Sequence, residues 1–338
     1  MERLEAGVGI YIRIKRKRRI INQGKMKKTP VKLPINSFNI SYKDNCCFLG
    51  SCFSEHLSFR LKDGGFHVHA NPFGVIFNPI SLTSLINNDI ESAFYSDSIL
   101  QQKDVFLSWE ANSTVFAYSE QDLFDILIKK VTAFQKHLAK SKVLFVTFGT
   151  AWIYEHEVYR KVVANCHKVP NQQFKKRLLS IEEIVKVWEN TLNLIQGKFP
   201  SLNVVFTVSP VRHIKEGLIE NNRSKAVLIE ATHRLTDMFP RVYYFPAYEL
   251  MIDELRDYAF YEKDGIHPNA IAVDHIWNVF QNTFFDRNTK IIYDEREELK
   301  KQLMHKPLHE KSKETLHFKQ QLEKKLEAFK KKHPTITF

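Results

Sequence analysis

Short apolar runs alternate along this chain with longer stretches in which apolar residues recur every three or four positions. The runs predict five buried strands, Cys46–Leu49, Phe66–His69, Val143–Phe148, Val204–Val208 and Val242–Phe245. The longer stretches predict helices at Ser54–Lys62, Asn78–Ile86, Glu120–Ala139, Ile181–Gln196, Lys225–Met238 and Ala270–Phe284. This alternation predicts an open α/β fold, a parallel sheet with helices on both faces.

Three regions depart from the alternation. Asp89–Trp109 lacks periodicity, which predicts an excursion over the surface, and Ala151–Leu178 reads as a long irregular loop. Because long loops in compact domains are often functional, we expect the second region to cover the site. From Tyr293 onward the chain is rich in Lys and Glu with helical spacing, interrupted at Pro307. We therefore divide the chain into an extension at 1–30, an α/β domain at 31–290 and a helical arm at 291–338 that packs on the domain or on a partner chain.

The positive charge of the chain lies at its two ends. The 338 residues carry a net charge of +12, and 43% of them are hydrophobic, which is ample for a buried core. Residues 1–30 hold ten Lys and Arg against two acids, and residues 291–338 hold twelve against eight. The region between them is therefore neutral. A region without net charge lacks the excess of basic residues that binds phosphates, which argues against nucleic acid as a partner.

The first residues carry no export signal. The apolar run at 8–12 precedes the basic run at 13–19, the reverse of a secretory signal, and it is too short to span a membrane. We therefore predict a cytoplasmic protein without a membrane span. Met26 followed by two lysines reads as a natural start, so we expect residues 1–25 to be an upstream extension.

Metal and nucleotide cofactors are not predicted. The four cysteines form no C-x-x-C pair, which favours reduced thiols without structural zinc. His67 and His69 have no carboxylate at matching spacing and read as ordinary strand residues. Neither form of glycine-rich phosphate loop is present. The predicted chemistry therefore depends on side chains alone.

The first candidate for chemistry is Gly50-Ser51-Cys52, where the first predicted strand meets a helix. A helix N-terminus supplies partial positive charge and free N–H groups, which favour an anionic nucleophile and an incoming oxyanion. Either Ser51 or Cys52 could use this position. Taken alone, the tripeptide is more simply a tight turn followed by a small buried thiol.

The second candidate is Asp264-Gly265-Ile266-His267-Pro268-Asn269, immediately before the last predicted helix of the domain. A carboxylate three residues before an imidazole can accept a hydrogen bond from Nδ1, which leaves Nε2 to take a proton from a nucleophile. The simpler reading is an Asp-Gly turn ended by a His-Pro pair. Together, the two motifs predict a nucleophile, a base and an orienting carboxylate.

Several motifs in order resemble the GSCFA family of the SGNH/GDSL hydrolase superfamily. They are Gly50-Ser51-Cys52-Phe53-Ser54, Gly149-Thr150-Ala151-Trp152, Asn165-Cys166-His167-Lys168, Ser209-Pro210-Val211 and Asp264-Gly265-Ile266-His267-Pro268. The resemblance covers about residues 33–335. It implies a flavodoxin-like three-layer α/β/α sandwich with a five-stranded parallel sheet, and ester or acyl chemistry at the carboxyl ends of the strands.

The resemblance leaves the nucleophile open. When Gly50 is aligned with the Gly of the superfamily's Gly-Asp-Ser-Leu block, Cys52 aligns with the catalytic Ser and Ser51 aligns with the Asp. We favour Cys52 slightly, because a thiol beside a His and a helix N-terminus can exist as a thiolate near neutral pH.

The comparison with the superfamily's motifs also indicates that this chain lacks one oxyanion donor. The superfamily's third block carries an Asn where this chain has Ala151, and loss of one such donor typically costs ~10²–10³ in rate. Asn165 is the candidate replacement, with the backbone N–H groups of Gly74 and Cys52 as further donors. Gly74 stands where the second block has its Gly, and Gly149 opens the third block.

Four more polar residues are candidates for the pocket. Asn165 and His167 either line it or belong to a surface loop, and a direct Cys166–His167 couple is disfavoured because adjacent residues of an extended loop point to opposite sides. Arg212 and His213 follow the fourth strand, at the edge where open α/β sheets bind ligands. Arg212 could receive a carboxylate or phosphate.

We therefore predict an SGNH-like hydrolase or acyltransferase in which Cys52 or Ser51 attacks an ester, His267 is the general base and Asp264 orients it. The expected substrate is a small-molecule or glycan-borne acyl ester, with no cofactor, and the oligomeric state is left open. The alternative is a ligand-binding module that keeps the fold without turnover, favoured by the missing Asn. A weaker third reading is a scaffold that acts through the basic arm.

Overall fold

The computed structural model describes residues 29–33, 37–87 and 98–338. The proposed start at Met26, nearly all of the basic extension and much of the Asp89–Trp109 excursion lie outside these residues. The rest of the chain can be compared with the prediction element by element.

All five predicted strands form one parallel sheet. They are β1 (Asn45–Gly50), β2 (His67–Ala70), β6 (Ser141–Phe148), β10 (Asn203–Val208) and β11 (Val242–Tyr244). Their spatial order is β11-β10-β6-β1-β2, and every neighbouring pair is parallel. Numbered along the chain, this is the flavodoxin-like order 2-1-3-4-5, which places a ligand crevice at the carboxyl ends of the strands. The predicted fold class is confirmed.

Helices cover both faces of the sheet. Their bounds are α1 (Cys52–Asp63), α2 (Pro79–Asn87), α3 (Glu120–Lys140), α4 (Ile181–Lys198), α5 (Leu218–Met238), α6 (Ala247–Glu249), α7 (Ala270–Phe284), α8 (Arg287–Met304) and α9 (Lys313–Lys332). Side chains alternate between the faces of a strand, so Cys47 and Leu49 pack in the core under α2 to α5. Cys46 and Phe48 pack in the opposite core, under α1, α7, α8 and α9. The molecule therefore has three layers.

Helix α5 begins seven residues before its predicted start at Lys225. Gly217 precedes it with a φ of +88°, and the first turns expose apolar residues, with Ile219 76% exposed. The amphipathic pattern therefore begins later than the helix does. As a result Lys225 lies within the helix, in its buried face.

The prediction of an irregular loop at Ala151–Leu178 is wrong. Three strands, β7 (Trp152–His156), β8 (Lys161–Val162) and β9 (Phe174–Leu178), form a small antiparallel sheet. Charged residues interrupt its strands, so they lack the continuous apolar runs by which most of the central strands were recognised. A second small sheet is made of β3 (Ile99–Gln102), β4 (Val105–Ser108) and β5 (Phe116–Ala117), and both sheets contribute to a satellite core around Trp109.

The C-terminal helices share the core of the domain. Leu299 of α8 and Leu322 and Phe329 of α9 are buried in the cluster that includes α1 and α7. Pro307 lies in the connection between the two helices, where a proline removes no helical hydrogen bond. The division at residue 290 remains our interpretation. Within the described residues, no helix combines the length and apolar character needed to cross a membrane.

Candidate active site

A tight turn at Gly50 joins strand β1 to helix α1. Gly50 has a φ of +132°, and a Cβ atom there would lie 2.1 Å from the backbone oxygen of Thr147 on β6. Only glycine allows the two strands to approach so closely in this conformation. The Gly50 N–H donates to the Asn71 side-chain oxygen at 2.9 Å, and the Ser51 N–H donates to the Thr147 oxygen at 3.1 Å. The turn that presents the candidate nucleophiles is therefore held on both sides.

The two candidate nucleophiles differ in accessibility. Ser51 is 1% exposed, and its buried hydroxyl has no hydrogen-bond partner among the described residues. Cys52, the first residue of α1, is only partly buried. The sulfur therefore has access to solvent that the hydroxyl lacks.

Cys52 does not lie in a thiolate-forming environment. Burial raises the pKa of its thiol, and Glu55 raises it further. The backbone N–H of Phe53 and the charge of Lys225 act in the opposite direction without overcoming burial. The expectation that Cys52 ionises readily near neutral pH is thus corrected, because desolvation outweighs the helix N-terminus. If the thiol is to react, a base must take its proton.

Asp264 and His267 form the predicted pair. The Nδ1 atom of His267 lies 2.7 Å from Oδ2 of Asp264. The other carboxylate oxygen accepts the backbone N–H groups of Ile266 and His267 at 2.8 and 3.1 Å. These hydrogen bonds, led by that from His267, lower the pKa of Asp264 to about 2. The carboxylate is therefore ionised at neutral pH and Nε2 is left for proton transfer.

Arg212 ties the Asp264–His267 loop to the sheet. Its backbone N–H donates to the Ile266 oxygen at 3.2 Å, and its guanidinium donates to the Gly265 oxygen at 3.0 Å. The guanidinium lies 4.1 Å from the ring centroid of Tyr261 and 5.0 Å from that of Tyr258. It forms no ion pair with a carboxylate in the described part of the chain. Since Arg212 follows β10, it brings the loop to the carboxyl edge of the sheet.

His56, which sequence reasoning missed, connects the two motifs. It lies one helical turn after Cys52 on α1 and therefore on the same side of the helix. Partial desolvation, Arg60 and the charge of His267 lower its pKa. The first turns of α1 and the loop of His267 are thus close enough to interact electrostatically. The i, i+4 spacing of Cys52 and His56 is the feature of the sequence that could have indicated that His56 lies near the candidate nucleophile.

Lys225 is a second residue that the sequence did not reveal. Its side chain is 2% exposed, and Nζ donates to the backbone oxygens of Gly149 and Ser209, both at 2.7 Å. Burial lowers its pKa to about 7, while the interaction with Cys52 raises it. A lysine on the buried face of an amphipathic helix is the only trace of this arrangement in the sequence.

His213 lies beside this buried lysine. Burial, followed by the charges of Lys225, Lys176 and Lys215, lowers its pKa to about 4. Its backbone N–H donates to the Asn221 side-chain oxygen at 2.8 Å. His213 is therefore a neutral imidazole at the carboxyl edge of the sheet, as its position in the sequence suggested.

The predicted backbone donors at Gly74 and Gly149 are occupied. The Gly74 N–H donates to the Asn71 oxygen at 2.9 Å, and the Gly149 N–H donates to the Phe77 oxygen at 2.8 Å. The first bond closes a turn and the second joins two distant segments, so neither group is free to receive an oxyanion, and this part of the prediction is corrected. The Cys52 N–H, at the first position of α1, has no partner within the helix.

His167 supports the fold instead of lining a pocket. It is 2% exposed, and its ring nitrogens contact the Ser113 hydroxyl at 2.8 Å and the Ser108 backbone oxygen at 2.7 Å. Both nitrogens are therefore engaged, which also removes the Cys166–His167 couple. Asn165 accepts the His167 N–H at 2.8 Å, while its amide donates no hydrogen bond to the described residues. Of these two loop residues, Asn165 remains a candidate donor.

Asn71 offers a donor that we did not predict. Its side-chain oxygen holds Gly50, and its buried side-chain amide nitrogen has no hydrogen-bond partner among the described residues. The residue also has a φ of +40°, which is uncommon outside glycine. An unpaired buried donor beside the nucleophile turn is a candidate for the place of the Asn that this chain lacks at Ala151.

The small β7–β9 sheet borders this edge. The Lys215 ammonium donates to the Tyr154 hydroxyl at 2.7 Å, and Lys176 pairs with Glu216. The Trp152 indole donates to the Glu220 oxygen at 3.3 Å. These contacts attach the sheet to the segment after β10 that carries Arg212 and His213. Among the residues described, no group of three or more His, Cys, Asp or Glu side chains could hold a metal ion.

The topology and the edge geometry together define a flavodoxin-like α/β protein with an imidazole–carboxylate pair at the carboxyl ends of its strands. The model of the GSCFA family matches residues 45–280, which is more than half of the chain. The chain belongs to the GSCFA family.

Solved structures with a similar arrangement share little sequence. A candidate acylhydrolase from Bacteroides fragilis is 10% identical, with 74% of this chain and 89% of the other covered and a TM-score of 0.37. A candidate GDSL-like lipase from Parabacteroides merdae is 12% identical, with 74% and 98% covered and a TM-score of 0.39. An acetyl xylan esterase from Butyrivibrio proteoclasticus is 10% identical, with 75% and 66% covered and a TM-score of 0.36. No curated protein sequence matches the chain.

Proposed function

We propose that this protein is an SGNH-like hydrolase or acyltransferase that cleaves an ester with the Cys52 thiol as nucleophile. One observation carries the proposal: His267 is bonded through Nδ1 to Asp264, in a loop that Arg212 holds at the carboxyl edge of the sheet. This arrangement is the base and orienter of a nucleophilic triad. Cys52 follows β1 at the same edge.

The proposed reaction proceeds through a thioester. As the sulfur attacks the ester carbonyl carbon, His267 takes the thiol proton on Nε2 and the carbonyl oxygen becomes an oxyanion. Collapse of the tetrahedral intermediate breaks the bond to the alkoxy oxygen, which receives the proton from His267. Water, or an acceptor alcohol in a transferase, then attacks the thioester while His267 takes its proton, and collapse returns that proton to the sulfur.

The choice of Cys52 over Ser51 rests on burial. An ester cannot reach a hydroxyl that is 1% exposed without movement of the turn, whereas Cys52 is partly exposed. Because the pKa of Cys52 is raised, the mechanism depends on general base catalysis by His267. His56 is an imidazole of α1 itself and serves as the comparison.

The oxyanion is assigned to the Cys52 N–H and to side-chain amides. Asn71 supports this assignment because its amide is unpaired and lies beside the turn, and Asn165 because its amide is uncommitted. A glycan-borne or other small acyl ester and a cytoplasmic setting with reduced thiols complete the proposal. The domain limits of 31–290 and 291–338 are part of it.

Chemical labelling tests the proposal. The full chain is treated with a fluorophosphonate and with iodoacetamide, and the modified peptides are mapped, while hydrolysis of 4-nitrophenyl acetate is followed in parallel. We expect alkylation of Cys52, loss of hydrolysis in Cys52→Ala and His267→Ala, and retention in His56→Ala. Hydrolysis that survives Cys52→Ala but disappears in Ser51→Ala would transfer the role to the hydroxyl.

A binding module without turnover is the second candidate. The observation that favours it is the loss of three donors, because Ala151 replaces the Asn and the N–H groups of Gly74 and Gly149 are occupied. A protein of this kind would show no hydrolysis above background, and His267→Ala would not change its reactivity toward either probe.

A further inference from the structure

A buried lysine that has no carboxylate partner among the described residues lies beneath the candidate site. Lys225 on α5 is 2% exposed, and within residues 29–33, 37–87 and 98–338 its ammonium forms no ion pair. Its two hydrogen bonds, at 2.7 Å each, go to backbone oxygens. Burying an ammonium group costs several kcal/mol even after relaxation. Two carbonyl oxygens could be satisfied by a neutral amide, so the charge itself calls for a role.

The two carbonyl groups locate the cation. Gly149 follows β6 and Ser209 follows β10, so Nζ lies at the carboxyl edge in the centre of the sheet. Strand β1, which leads to Cys52, is the other neighbour of β6. The side chain of Lys225 is therefore held by backbone oxygens that follow β6 and β10, and β6 is the neighbour of the strand that leads to the nucleophile turn.

The charge of Lys225 acts on the sulfur. A thiolate at Cys52 and an ammonium at Lys225 favour each other, since the lysine lowers the pKa of the thiol and the thiolate raises the pKa of the lysine. The other charged neighbour of the sulfur, Glu55, opposes ionisation. The charge of Lys225 thus acts against burial and Glu55, although the pKa of the thiol stays raised.

We propose that Lys225 is the electrostatic partner of Cys52: in its protonated form, this buried amine stabilises negative charge on the sulfur as the thiol loses its proton. The inference rests on the proposed function for the identity of the reacting group. Lys225 acts through the sulfur and not on the substrate, so it is a positioning residue. It provides charge stabilisation at an edge where the usual amide donor is absent.

The pH dependence of alkylation measures this pairing directly. The full chain and its K225M, K225Q and K225R variants are pulsed with iodoacetamide between pH 6 and 10, and the modified peptides are quantified by mass spectrometry. Cys166 is partly buried like Cys52 but interacts with Lys215, so it is an internal reference in every sample. Thermal melts verify that each variant is folded.

The expected result is selective. In K225M and K225Q, alkylation of Cys52 at pH 7.5 slows at least about threefold and its midpoint moves to higher pH, because an opposite charge nearby lowers a pKa by about one unit or more. Cys166 keeps its rate, and K225R preserves most of the Cys52 rate. An unchanged Cys52 midpoint in a folded K225M or K225Q protein would overturn the inference, as would a parallel shift of both cysteines, which indicates general loosening.

A reciprocal measurement does not depend on the folding of the Lys225 variants. In full-length protein labelled with ¹³C-lysine, the Lys225 Cε resonance is titrated in the native chain and in Cys52→Ala. We expect the ammonium to lose its proton at lower pH in Cys52→Ala, because the thiolate that favoured it is gone. Identical titrations would contradict the pairing. Neither experiment uses ester turnover, so a pairing without hydrolysis refutes only the proposed function, and hydrolysis by Cys52 without the pairing refutes only this inference.

Discussion

Nδ1 of His267 and Oδ2 of Asp264 lie 2.7 Å apart, and the same carboxylate also accepts two backbone N–H groups of its own loop. The carboxylate therefore fixes both the imidazole and the loop that presents it. A change at Asp264 should affect the orientation of the ring as well as its charge.

Asp264→Asn should reduce kcat for 4-nitrophenyl acetate by ~10²–10⁴-fold, the range of general acid–base catalysis, with a small effect on KM. The amide cannot stabilise an imidazolium and favours the wrong tautomer of His267. Asp274→Asn is the matched control, since Asp274 is an exposed residue of α7 that pairs with Arg60. Equal loss in both variants would show that Asp264 has no special role.

Asp264 should also affect stability in acid. Its pKa is lowered from 3.8 to about 2 on folding, so its stabilising effect is complete above pH 4 and is lost as the pH falls toward 2. Urea unfolding of the native chain and of Asp264→Asn should therefore differ at pH 5 and converge near pH 2. A difference that does not change with pH would contradict the bonded carboxylate.

Gly50→Ala should destabilise the fold by at least about 3 kcal/mol, because the new Cβ would lie 2.1 Å from the Thr147 oxygen in a conformation that disfavours L-residues. Gly197→Ala in α4 is the matched control. A Cβ at Gly197 meets no atom within 4 Å, so this change should stabilise the protein by roughly 0.5–1 kcal/mol. The free energies of unfolding in urea give both values, and similar effects for the two glycines would be inconsistent with the close strand contact.

His69 should make the fold less stable as the pH falls below neutrality. Burial and the neighbouring His137, whose ring stacks at 4.2 Å, lower its pKa from 6.5 to about 4. The unfolded chain therefore binds this proton more readily between about pH 6.5 and 4, and stability decreases across that window. His69→Phe should flatten the pH dependence of the unfolding free energy there. His67→Phe, at the exposed start of the same strand, should leave it unchanged, and equal slopes in all three proteins would refute the assignment.

Arg212→Ala should lower kcat/KM by on the order of 10-fold or more, because the loop that carries His267 loses its guanidinium bond to the Gly265 oxygen. Arg212→Lys keeps the charge but not the planar geometry between the Tyr258 and Tyr261 rings, so it should recover only part of the activity. Full recovery by lysine would show that charge alone matters. Arg223→Ala, on the exposed surface of α5, is the control for loss of a positive charge.

The local features of this protein are determined by short stretches of its sequence. Strands β1, β6 and β10 were predictable because each is a nearly continuous apolar run buried on both faces, as in Val143–Phe148, whereas β2 at the sheet edge is only partly buried. Helix α7 was predicted with its exact bounds because Asn269 caps it and its apolar residues recur with helical spacing. The Asp264–His267 bond also spans only three residues. In each case the deciding interactions lie within a few positions of one another.

Other features depend on residues that the chain brings together from a distance. Lys225 is bonded to an oxygen 76 residues away, so no local pattern marks it as a buried cation. His167 was judged from its motif, but contacts with Ser108 and Ser113, more than 50 residues earlier, make it a structural residue. The β7–β9 sheet was missed because charged residues interrupt its strands, as Lys175, Lys176 and Arg177 do in β9, so no strand in it is a continuous buried run.

The sequence by itself determined the α/β class, the family and the pair of motifs, because periodicity and short-range hydrogen bonding are properties of neighbouring residues. Only the tertiary structure decided that Ser51 is buried, that the N–H groups of Gly74 and Gly149 are occupied and that Lys225 lies at the carboxyl edge. Burial and hydrogen-bond partners at such separations depend on which strands become neighbours, and that order is set by the packing of the whole sheet.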